Sequence, residues 1–210
     1  MLRTASVVTL LALNMLLGGC VDPNLRSVSY KQSVATQSDM TGIVQLFTGV
    51  VEGANGSTMV YIGPGLFMPM ETGPYPNLHF NEADQRVFTE SLSAELTRLG
   101  LLKMKTVVPA GEMTDVVIVL AFVQTSHNPH LQQYYLDVAM QIASSGKSTV
   151  KQYKVHSSEG DGYWEKMNTD AAEGKQKAAD KLIALIVPDI EIFIAEMKAA
   201  RQREAEGAGA

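Results

Sequence analysis

Residues 115–123 read Asp-Val-Val-Ile-Val-Leu-Ala-Phe-Val, and this run decides the fold. It is too short for a core helix, rich in β-branched residues, and apolar at both odd and even positions. A half-exposed strand alternates, so a strand apolar at both parities belongs in the middle of a sheet with both faces covered. The neighbouring runs build outward from it. Tyr134 to Ile142 alternates, with Tyr134, Leu136, Val138, Met140 and Ile142 on one face. The turn Ser144-Ser145-Gly146-Lys147 leads into Thr149 to His156, where Thr149, Lys151, Tyr153 and Val155 share a face. Together these predict an antiparallel hairpin with one solvated side. Earlier in the chain, Thr41 to Val51 predicts a strand, Asn55-Gly56 a hairpin turn, and Thr58 to Ile62 the return. Lys103 to Val108 predicts a short strand ended by Pro109.

Two helices stand out. Asn81-Glu82-Ala83-Asp84 has the form of a helix cap with acids in the first turn. Phe88, Leu92, Leu96 and Leu99 then repeat at helical spacing, and Gly100 with Leu101 reads as the stop. From about Thr169 to Arg203 a second helical pattern carries Leu182, Leu185, Ile186, Ile190, Phe193, Ile194 and Met197. Glu173 and Lys177 form a favourable i,i+4 pair within it, and Pro188 predicts a kink or a division into two helices. The stripe packs on the sheet, and its length past Pro188 leaves room for a partner helix or self-association. The order strands, helix, strands, helix implies an α+β, two-layer sandwich: a mainly antiparallel sheet with helices packed on one face. Residues 41–203 form this single domain, and 204–210 read as a disordered tail.

The start of the chain speaks to location. Arg3 precedes an apolar run from Ala5 to Leu17, the layout of a secretory signal and too short for a comfortable membrane span. It ends in Leu17-Gly18-Gly19-Cys20, and Cys20 is the one cysteine of the 210 residues. A lone exported thiol needs an explanation, since it has no disulfide partner. The four residues resemble the lipobox of bacterial lipoproteins. That resemblance implies cleavage of residues 1–19, a covalent diacylglycerol and acyl chain (palmitate or similar) at Cys20, and no other cofactor. Val21, where enteric lipoproteins retained in the inner membrane carry Asp, implies the periplasmic face of the outer membrane. Residues 20–40, rich in Ser, Gln, Asn and Thr, predict a lipidated flexible tether, which fully extended spans roughly 65 Å.

Net charge is −5, and −6 once Arg3 leaves with the signal; no basic block is present that would favour nucleic acid. Four prolines and three glycines between Gly63 and Pro76 argue against a regular interior element there. Yet Leu66, Phe67, Met68, Met70 and Tyr75 are apolar, so this loop either packs across the domain or forms a docking surface. Met59, Met68 and Met70, among eleven methionines, fit an adaptable contact surface or irregular core gaps. Tyr163 and Trp164 read as a core anchor or a binding hot spot.

His127 and His130 are the metal candidates, with His156 or Asp161 as a third ligand; two solvated loop histidines are the alternative. Glu159 and Asp161 are paired carboxylates, a cation-binding turn, or simply exposed loop acids. No GxSxG motif accompanies the serines, and Gly63-Pro64-Gly65 lacks the Lys-Ser/Thr of a phosphate loop. The sequence thus points to a non-enzymatic binding or assembly factor for an envelope complex: secretion, pilus, transport or peptidoglycan machinery. It would hold the membrane by its lipid and an envelope protein as its partner. The body is similar in pattern to small periplasmic α+β lipoprotein domains of envelope assembly, and to the N-terminal α/β domain of TolB-type proteins. The alternative is a periplasmic carrier of an apolar or lipid ligand.

Overall fold

The computed structural model describes residues 25–47, 50–52, 57–63, 66–71, 80–106, 113–128, 133–159, 161 and 171–208. Five strands form the main sheet: β1 (Thr41–Leu46), β5 (Lys103–Met104), β6 (Val116–Asn128), β7 (Gln133–Ser144) and β8 (Lys147–His156). Their order is β5-β1-β6-β7-β8, so the strand apolar at both parities is central. β6–β7 and β7–β8 are antiparallel, whereas β1 runs parallel to both β5 and β6. The fold is α+β with a mixed sheet.

Both helices, α1 (Glu82–Arg98) and α2 (Ala171–Ala208), feed one core. Val116, Ile118 and Leu120 of β6 are buried there with Tyr134, Leu136 and Val138 of β7, against Phe88, Leu92 and Leu96 of α1 and Leu182, Ile186 and Ile190 of α2. The opposite face of the sheet holds a second, small cluster of Ala121 and Ala139 with Phe47 and Val123. Both faces of β6 therefore find apolar neighbours, which is why its sequence does not alternate. Register shifts at Val123, between Phe122 and Gln124. Such a bulge resets the alternation, and Thr125 and His127 come to lie opposite Leu136 and Tyr134.

The helix ends follow the sequence. Asn81 accepts from the Asp84 N–H and Asp84 returns a bond to the Asn81 N–H, a full capping box. At the other end Gly100 takes φ +69°. Its N–H reaches Thr97 O while Leu101 N–H reaches Leu96 O, the paired bonds of a Schellman stop.

Several expectations are corrected. α2 is one helix, not two, and it continues to Ala208 through the stretch read as a tail. Pro188 is only partly buried, and Ala184, whose carbonyl loses its partner, is exposed, so water can take that bond. Val187 and Ile190 stay fully buried across the interruption. Past Arg203 the Ala- and Glu-rich sequence has high helix propensity. Leu185 is not part of the buried stripe but 47% exposed; Ile183 and Val187 are buried instead.

Thr41–Val51 is not one strand. It divides into β1 and β2 (Val50–Glu52), and β2 belongs to a second sheet of order β2-β3-β4 with β3 (Ser57–Gly63) and β4 (Leu66–Glu71). β3 runs near β6 and β7. β4 occupies six residues of the Pro/Gly stretch that reads as a loop. Pro69, opposite Met59, is tolerated because β4 is an edge of this sheet, where a missing ladder donor is harmless.

Candidate functional site

The largest departure from the sequence reading lies at residues 25–40. The expected tether is, from Leu25 onward, an ordered strap. Leu25, Val28, Tyr30 and Met40 are all buried in the main core. The strap forms no strand, so its backbone groups need other partners. Polar side chains of α1 supply them. Asp84 Oδ1 accepts the Leu25 N–H at 2.7 Å, Ser91 Oγ the Val28 N–H at 3.1 Å, and Glu95 Oε2 the Tyr30 N–H at 3.0 Å. Arg98 donates to the Tyr30 carbonyl at 2.9 Å and to Glu95 at 2.6 Å. Positions 84, 91, 95 and 98 lie along one side of a helix. The Glu95–Arg98 pair thus contacts both backbone groups of Tyr30, as a neighbouring strand would.

α2 holds the second half of the strap. Glu191 Oε1 accepts the N–H groups of Ala35 and Thr36 at 2.6 and 2.8 Å, and Lys198 donates to the Gln37 carbonyl at 2.6 Å. The chain then enters β1, where Asp115 accepts the N–H and the hydroxyl of Thr41 and pairs with Arg201 at 2.6 Å. The contacts rise together along both helices, from Asp84 to Gly100 and from Lys175 to Arg201. α1 and α2 therefore run in the same direction as the strap.

At the start of all three elements sits a buried ion pair. Lys175 Nζ lies 2.8 Å from Asp84 Oδ2, with both side chains essentially inaccessible to water, and 5.9 Å from the centre of the Tyr134 ring. Asp84 thus caps α1, holds the first strap residue, and neutralises a buried lysine of α2.

The electrostatics follow from these contacts. The guanidinium of Arg98 draws the Glu95 carboxyl below its ordinary range, burial opposing and the Tyr30 N–H assisting. Burial works to raise the Asp115 carboxyl, but Arg201 and the two Thr41 donors outweigh it and bring it down to about 2. Burial first, then the Asp189 carboxylate that accepts its hydroxyl at 2.7 Å, push the Tyr153 phenol far up. For Asp115 the unfolded value is 3.8, so its contribution is complete above about pH 4 and is lost as pH falls toward 2. Asp115→Asn is expected to cost on the order of 1 kcal/mol at pH 7, after allowance for its solvent contact, and almost nothing at pH 2. Urea titrations at the two pH values check this.

The residues singled out in the sequence are dispersed. Leu66, Phe67, Met68 and Met70 lie on β4, in register with Gly63, Tyr61, Val60 and Thr58. Cys20, Tyr75, His130, Tyr163 and Trp164 lie outside the described residues. His127 falls opposite Tyr134, and His156 falls opposite Tyr135 in the next cross-strand row. His156 Nδ1 meets Ser158 Oγ at 3.0 Å. Asp161 pairs with Lys177 at 3.4 Å, and Lys177 also makes the expected pair with Glu173 at 3.2 Å. Glu159 contributes its carbonyl, with those of His156 and Ser157, to Lys181 Nζ. Among the described residues no group of three or more His, Cys, Asp or Glu is placed to hold a metal. A surface groove of about 280 Å³ runs between the strap at Ser29–Gln32 and α2 at Asp180–Ala184.

No protein-family model and no curated protein matches this chain. Among solved structures it is similar to a protein of family DUF330 from Xanthomonas campestris, with 11% identity over 86% of this chain and 97% of the other and a TM-score of 0.43. It is also similar to an uncharacterized protein, with 9% identity over 77% and 99% of the two chains and a TM-score of 0.36. Likeness at this level assigns no activity.

Proposed function

We propose that this chain is a lipoprotein held through Cys20 at the periplasmic face of the outer membrane, acting as a non-enzymatic binding or assembly factor for an envelope complex. The observation that carries the reading is Leu17-Gly18-Gly19-Cys20, a lipobox after a secretory-type apolar run and ending on the one cysteine of the chain. Asp84, Glu95, Arg98, Asp115, Lys175, Glu191 and Arg201 all hold the strap and the two helices together.

Mass spectrometry of the protein isolated from membranes tests the anchor. The expected first residue is Cys20 carrying a thioether diacylglycerol. A Cys20→Ala variant, exported by an ordinary cleavable signal, is expected to leave the membrane fraction completely. In-cell crosslinking of both forms tests the role: a specific envelope protein should crosslink to the anchored form and be weakened or lost with the soluble one. An unmodified Cys20 defeats the anchor. Lipid co-purifying with the soluble domain, without a crosslinked protein, defeats the assembly role in favour of carriage.

A further inference from the structure

The position of the strap has a consequence for how the domain stands on a membrane. If the whole of residues 20–40 were flexible, the domain would sample a wide shell above the bilayer. Instead the chain is fixed at Leu25, whose side chain is buried and whose N–H is bonded to Asp84. Only five residue steps separate Leu25 from Cys20, a reach of at most about 18 Å. Leu25 lies at the end of the domain where both helices begin, marked by the Asp84–Lys175 pair. From Lys175 to Gln202, α2 rises about 40 Å in the direction the strap runs.

We infer that the Leu25 end of the domain is its bilayer-facing surface, and that the chain stands on a lipid surface with the C-terminal end of α2 directed away from it. The inference rests on the lipid anchor at Cys20. The anchor itself supplies the attraction. With a net charge of −6 after loss of the signal, the domain is repelled by anionic headgroups and gains nothing by lying along them. From Leu25 onward the strap is bonded along its length to α1 and α2, so the domain is held within those five residue steps of the anchor. What the domain offers to the space beyond the membrane is then the last part of α2, exposed from Arg201 to Glu206.

Cys20 is taken up by lipid, so a second cysteine can be labelled uniquely. The lipidated full-length protein is prepared as Ala83→Cys and as Gln202→Cys, both exposed positions. Each carries a small fluorophore and is placed in vesicles of phosphatidylethanolamine and phosphatidylglycerol containing a nitroxide-headgroup lipid, a short-range quencher. Quenching is expected to be at least several-fold stronger at 83 than at 202. Inserting twenty Gly/Ser residues between Asn24 and Leu25 should reduce quenching at 83 and bring the two positions close to equality. Equal quenching in the natural chain, or an insertion without effect, overturns the inference while the diacylglycerol found on Cys20 leaves the anchor standing. Absence of that lipid overturns both.

Discussion

Asp84→Ala is expected to destabilise the fold by about 4–5 kcal/mol, near the upper end for breaking a buried ion pair. Lys175→Met, which breaks the same pair from the other side, should cost less, about 2–3 kcal/mol. The asymmetry comes from what each substitution leaves behind. Without Asp84, a fully buried ammonium loses its carboxylate 2.8 Å away beside the N-terminal end of α1, where the helix dipole is also positive. The Leu25 N–H and the Asn81 N–H lose their acceptor in the same step. Without Lys175, the carboxylate still accepts both N–H groups at a helix N-terminus, the setting that favours an anion. The methionine replaces most of the lysine stem, so no large cavity opens. The double variant should recover part of the loss, with a coupling of about 2 kcal/mol. Urea midpoints at constant m-value measure all three. Equal losses for the two single variants, or a loss below about 1 kcal/mol for Asp84→Ala, would show that the pair does not organise this end of the domain.

The sheet was legible because its signals are local. The 115–123 run is apolar at both parities because its second face also meets apolar neighbours, Ala121 and Val123 clustering there with Ala139 and Phe47. β7 and β8 meet through a two-residue turn with Gly146 at φ +79°, as their alternation and glycine predict. α1 carries its cap and its stop in the sequence. The strap was illegible because no apolar alternation shows along it: Val28, Tyr30 and Met40 share one parity, but Gln32, Thr36 and Ser38 at that same parity are polar. Its hydrogen bonds come from polar residues of α1, and of α2 along its second half, that read alone resemble solvated helix faces. β4 was missed for a related reason: a proline excludes a central strand, but the sequence alone does not reveal that the strand is an edge.

A signal for the buried pair was nonetheless present. Extended back by helical spacing, the apolar stripe of α2 from Ile186, Leu182 and Ala179 arrives at Lys175. The stripe of α1, extended back from Phe88, arrives at Asp84. Two opposite charges on the core lines of two helices are costly apart and tolerable together. That spacing argument marks Asp84 and Lys175 as charges on core lines, and it distinguishes Lys175 from the neighbouring, partly exposed Lys177.

A chain that begins at Thr41, the boundary suggested by composition, is expected not to fold cooperatively, whereas one that begins at Asn24 should retain the stability of the full domain. Removing the strap strips Leu25, Val28, Tyr30 and Met40 from a shared core and uncovers the apolar residues beneath. A buried large side chain contributes about 1.5–3 kcal/mol, so four of them amount to much of the 5–15 kcal/mol that keeps a typical domain folded. The freed backbone entropy of the strap offsets part of this but cannot cover the exposed face of α1. Within the intact chain, Tyr30→Ala is the milder version of the same test, with an expected loss of about 3 kcal/mol. Thermal unfolding followed by circular dichroism discriminates the cases. A sharp transition for the Asn24 form and a broad, low one for the Thr41 form place the strap inside the folding unit. Equal sharp transitions would mean that residues 25–40 are only an ornament on a domain complete without them. In that event the short reach from Cys20 to the folded unit would no longer hold, since a dispensable strap could detach and restore the long tether that the composition suggests.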